Sequence, residues 1–132
     1  MKTKRNFLTE GIRLSDVLLN GIIFMCETRM KNTYFTRIGN NKMTFKSIMG
    51  FMLNFVKKSL QLELDDFFDG TNGTKLSVTK QAFSEARQKI SPIAFVKLSD
   101  AIIQWFYKDT DFKRFKGYRL LSIDGTILEI SR

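Results

Sequence analysis

The chain has 132 residues, of which 43% are hydrophobic and 27% charged, with a single Pro; this is the makeup of one packed domain of ordinary size and not of a disordered chain. Twenty-two Lys and Arg against thirteen Asp and Glu leave a net charge of +9, with no His and one Cys, Cys26. His-based triads, His-liganded metal centres, an internal disulfide and multi-Cys zinc sites are thereby excluded, which leaves carboxylate chemistry, polyanion binding or no catalysis.

A positive balance steers and holds phosphates and anionic surfaces. Fourteen of the 22 cations are Lys, however, and Lys, Ile, Asn and Phe are all abundant, a bias that an AT-rich genome produces by itself. The total therefore needs support from position. Residues 1–62 carry +8, residues 63–73 carry only Glu63, Asp65, Asp66 and Asp69, and residues 74–132 carry +5, so two basic segments flank one acidic knot. The apolar stretch Leu14 to Cys26 follows Lys2, Lys4, Arg5 and Arg13, but it contains Asn20 and Gly21. It lacks a small-x-small cleavage site and is shorter than the ~20 residues a membrane-spanning helix needs. The expectation is a cytoplasmic protein with no membrane partner.

In chain order, the first helix is expected from Ser15 as N-cap to about Met30, with Leu14, Val17, Leu18, Ile22 and Met25 at helical spacing. A second starts at Thr44 and continues to Leu60, its apolar side made by Phe45, Ile48, Met49, Met52, Phe55 and Val56. Lys46, Asn54, Lys57 and Lys58 edge the opposite side, a solvated face on which two adjacent Lys are able to touch phosphate. Gln61 to Phe68 reads as a short helix sending Leu64, Phe67 and Phe68 inward, before Gly70-Thr71-Asn72-Gly73.

The next helix, with Ser77 as N-cap, has a narrow apolar stripe of Ala82, Phe83, Ala86 and Ile90. Lys80, Gln81, Ser84, Arg87 and Gln88 share its other face. These side chains suit base edges and phosphates, and they equally make an ordinary polar helix surface; the preceding short helix and turn give a helix-turn-helix-like order. Ser91-Pro92 opens a further helix, with Phe95, Leu98, Ile102, Trp105 and Phe106 as its buried stripe and Val96, Ile103 and Tyr107 widening it. After a charged linker the periodicity changes to that of strands. Tyr118 to Asp124 and Ile127 to Ile130 form an expected β-hairpin around Gly125-Thr126. Asp124, at a strand end, suits a divalent-metal site, and an Asp before Gly is also a common turn signal.

The helix "VTKQAFSEARQKI" at residues 78–90, the following Ser91-Pro92, and "LLSIDGT" at residues 120–126 together resemble the N-terminal part of bacterial cut-and-paste transposases of the insertion sequence four family. The resemblance covers roughly residues 44–130. It implies a mainly α chain: a helical DNA-binding domain at residues 1–108, a linker at 109–117, and at 118–132 the first strands of a ribonuclease-H-like α/β catalytic domain. It implies double-stranded insertion-sequence ends as partner, with Lys80, Gln81, Ser84, Arg87, Gln88, Lys57 and Lys58 as the DNA-binding candidates, and assembly with a full-length transposase. Asp124 becomes the first catalytic and metal-binding acid of an Asp-Asp-Glu triad. Two Mg²⁺ ions held by such carboxylates activate a nucleophile and stabilise the leaving oxygen without any His. The family's second Asp and its Glu lie well downstream of the first; Asp109 and Asp111 precede the strand and Glu129 follows Asp124 by only five residues, so none replaces them. The expectation is a truncated transposase fragment that binds DNA but is catalytically incomplete alone, with Mg²⁺ serving only a full-length form. The alternative is a stand-alone helix-turn-helix-like DNA-binding regulator.

Overall fold

A computed structural model of the chain describes residues 7–36, 43–54, 58–69, 77–109 and 112–122. These residues form six α-helices: α1 (Phe7–Asn20), α2 (Ile22–Thr28), α3 (Phe45–Leu53), α4 (Leu60–Asp69), α5 (Lys80–Arg87) and α6 (Ile93–Asp109). The mainly α expectation holds, and among the described residues there is no β-strand.

The N-terminal helix begins earlier than its sequence pattern suggests and is split in two. Ser15 is no cap: its hydroxyl donates back to the Gly11 carbonyl at 2.9 Å, inside α1. The split falls at Asn20-Gly21. The Asn20 amide donates to the Asp16 carbonyl and carboxylate at 2.8 and 3.1 Å, and Gly21 turns to an extended ψ of 124° while its N–H reaches the Leu18 carbonyl. Thr28 then closes α2, fully buried with its hydroxyl donating to the Phe24 carbonyl at 2.7 Å.

α3 is the centre of the molecule. Thr44 caps it as expected, accepting from the Ser47 N–H, and Ile48 and Met49 have no exposed surface. The helix stops at Leu53, short of the expected Leu60, because Asn54 leaves helical geometry at ψ 145°; Phe55, Val56 and Lys57 lie outside the described residues. Packing is aromatic on both sides. Phe45 meets Phe24 and Phe35 edge-on at 6.1 and 5.5 Å, and Phe51 meets Phe83 and Phe67 at 4.7 and 5.5 Å. Such edge-to-face pairs are favoured by the ring quadrupole, and here they join α3 to α2, α4 and α5. Leu64 and Phe68 bring α4 into the same core, with Phe67 partly buried.

In α6 the innermost residues are Ala94 and Leu98, with Ile102 partly buried. The expected broad stripe is narrower than its aromatic content suggests: Phe95 and Phe106 are 36% exposed and Val96 and Ile103 more so. The expected hairpin is not seen. Residues 118–122 form no strand, and residues 123–130, with Asp124, lie outside the described residues. What exists instead is one antiparallel bridge between Phe115 and Tyr118, closed by Lys116 and Gly117 at φ 49° and 84°, the left-handed pair that a two-residue turn requires.

Candidate nucleic-acid interface

The polar face of α5 is the assembled part of the expected site. Thr79, and not Ser77, caps the helix: its side chain accepts from the Ala82 N–H at 3.2 Å. The choice follows from Val78, which is buried and fixes the chain just ahead of the cap. Phe83, Ala86 and Ile90 are buried beneath α5 with Ala82 half-buried, which leaves Lys80, Gln81, Arg87 and Gln88 exposed and Ser84 half-buried. Five candidate residues thus share one accessible surface.

Gln61 on α4 mounts this helix, and the sequence reading missed it. Its carbonyl oxygen accepts from the Lys80 N–H at 3.2 Å, and its amide donates to the Val78 carbonyl at 3.0 Å and to the Asp65 carboxylate at 2.9 Å. One side chain therefore satisfies a first-turn N–H of α5 that has no partner inside the helix, and it ties α4 to the entry of α5. Nothing in the spacing of a surface Gln signals this; a donor-and-acceptor side chain opposite a helix start is the only available hint.

The charges on the face are unequal in their freedom. Among the described residues, Lys80 and Arg87 have no carboxylate partner, and Arg87 stands in the last turn of α5, where the helix dipole favours a cation. Gln81 donates to Glu85 at 3.3 Å, so one carboxylate borders the face. Lys58 is different. Its ammonium binds the Asp66 carboxylate at 2.7 Å and its backbone N–H donates to Glu63 at 2.8 Å, so it stands against the acidic helix α4. The hydrogen bond and charge of Asp66, aided by Glu63, hold the Lys58 ammonium above its ordinary pKa. Lys57 and Asp124 lie outside the described residues.

Among the described residues, no group of three or more Cys, Asp or Glu side chains is placed to hold a metal ion, and no helix is long and apolar enough to cross a membrane. Compared with known proteins, the chain matches no family model, none of the curated proteins and no solved structure.

Proposed function

We propose that this chain binds double-stranded DNA through α5, as the helical N-terminal domain of a transposase of the insertion sequence four family, with the ends of the mobile element as its target. The observation that carries the reading is the accessible α5 face of Lys80, Gln81, Ser84, Arg87 and Gln88, held on α4 by Gln61 and capped by Thr79. A second helix presented on a preceding one across a turn is the arrangement in which a major-groove reader works, and here α5 is held on α4 in that order. The paired motifs "VTKQAFSEARQKI" and "LLSIDGT" support the family, and the +9 charge supports a phosphate-rich partner.

In this reading Arg87 and Gln88 meet base edges, Arg suited to guanine and Gln to adenine, while Lys80 and Lys57 meet phosphates. Lys58 joins them only by leaving Asp66. The reading gives these residues binding. Mg²⁺-dependent strand transfer, which the resemblance attaches to Asp124, needs two more carboxylates in one site.

Fluorescence anisotropy with a labelled terminal-repeat duplex and a scrambled duplex tests the proposal. Affinity should fall steeply with salt, and R87A/Q88A should lose discrimination between the duplexes by about tenfold or more, since each specific base contact is worth roughly 1–3 kcal/mol. Absence of binding to both duplexes would sink it. Preference for an unrelated operator over the terminal repeat would favour the stand-alone regulator.

A further inference from the structure

A second basic element stands beside α5, built from residues far apart in sequence. The ammonium groups of Lys31 and Lys89 both lie over the ring of Tyr34, at 5.8 and 5.7 Å from its centroid. Around this ring is a cavity of about 540 Å³, lined by Thr33, Tyr34, Thr36, Ala86 and Lys89 among others. Among the described residues neither lysine has a carboxylate partner. Asp16, Asp66 and Glu27 are taken by Lys46, Lys58 and Lys97.

The notch is rigidly attached to α5. The Met30 N–H donates to the Lys89 carbonyl at 2.9 Å and the Ser91 N–H to the Thr28 carbonyl at 2.7 Å, and Arg29 bridges Ile90. The Arg29 guanidinium donates to the Tyr34 carbonyl at 3.1 Å, and Thr36 closes the turn by donating to the Thr33 carbonyl at 2.9 Å. Phe35, at a left-handed φ of 60°, packs its ring edge-on against Phe45 in the core. A bulky residue is rarely held there without compensating packing, and in this turn it anchors the segment that carries Tyr34. Lys89 directly follows Gln88, so the notch stands at the C-terminal end of α5, on the side of Ala86.

Each of the two ammonium groups stands over the same ring, Lys89 lines the cavity with Thr33 and Thr36, and neither has a carboxylate partner among the described residues, an arrangement suited to a phosphodiester. We propose that Lys31, Lys89 and Tyr34 clamp the phosphate backbone of the DNA that α5 reads, Tyr34 positioning the two cations through the attraction of its ring for charge. This rests on the DNA-binding reading of α5. It adds a sequence-independent contact that fixes the register of that helix on the duplex, the general role of backbone contacts.

The test compares the 132-residue chain with K31Q/K89Q, its single variants and K31R/K89R, by anisotropy on terminal-repeat and scrambled duplexes over a salt series. The double Gln variant should weaken both duplexes by the same factor and make the slope of log K against log salt shallower by about 2, near one unit per lost phosphate contact. Each single variant should give about half of that, and the Arg pair should restore the wild-type slope. Both lysines are exposed, and the Arg pair exposes any fold defect common to the site. Wild-type binding with an unchanged slope in K31Q/K89Q overturns the clamp and leaves the α5 reading standing. Loss confined to the terminal repeat also overturns it, because a backbone contact carries no sequence preference. No binding by the wild type overturns both.

Discussion

Gln61 and Lys58 sit three residues apart in sequence and serve opposite ends. Gln61 joins α4 to the start of α5 with three hydrogen bonds, so Gln61→Leu leaves the Lys80 N–H and Val78 carbonyl without that partner. Unfolding in urea should show a loss of about 1–3 kcal/mol, and the α5 face should lose DNA affinity with it; unchanged stability would mean that Gln61 does not hold α5 on α4. Lys58 is exposed and its pair with Asp66 contributes modestly. Because the folded-state pKa is raised, that contribution is present below the ordinary lysine value and is lost as pH rises through the folded value. The stability gap between wild type and Lys58→Met should therefore be constant from pH 6 to 9 and close above about 10.5. At this scale Thr44 was legible as a cap because it directly precedes an apolar run. Thr79 was not, since Ser77 offers the same chemistry and only the burial of Val78 decides between them.

The helices differ in how much of their placement can be read from periodicity. α4 matches its pattern closely, with a short, one-sided apolar stripe, whereas α5 keeps its stripe but is shorter than the expected helix at residues 78–90 and is capped by Thr79 instead of Ser77. The long N-terminal pattern hid a break, since Asn20 and Gly21 interrupt the backbone without interrupting the apolar spacing. Aromatic side chains misled in α6, where Ala94 is fully buried and Phe95 and Phe106 stay partly in solvent. The core itself is aromatic at α3, and Phe51, against both Phe67 and Phe83, joins it to α4 and α5. Phe51→Ala should cost about 3–5 kcal/mol, measured by the shift of a denaturant midpoint. A loss below ~1 kcal/mol would mean the ring pairs do not hold α3, α4 and α5 together. The alternating pattern of residues 118–122 is strand-like, yet a strand needs a ladder partner, and only Phe115 bridges Tyr118 among the described residues.

Charge is legible as a distribution along the chain, but only folding reveals which cations are free. Lys46, Lys58 and Lys97 are each held by a carboxylate on another part of the molecule or on the acidic helix, whereas Lys80, Arg87, Lys31 and Lys89 have no such partner among the described residues. The last two come together only because the turn after α2 is hydrogen-bonded to the connection between α5 and α6, which no local spacing encodes. If DNA binding follows the net +9 as a diffuse field, any lysine should matter about equally. If it follows position, Lys80→Gln and Lys97→Gln, which change net charge by the same amount, should part company. Lys80→Gln should make the salt slope of binding shallower by about 1, while Lys97→Gln, on the α6 side and already neutralised by Glu27 at 2.6 Å, should leave it unchanged. A salt series on both variants reads the difference directly. Equal effects would return the charge to a property of composition, and unequal ones would tie binding to the free cations on and beside α5.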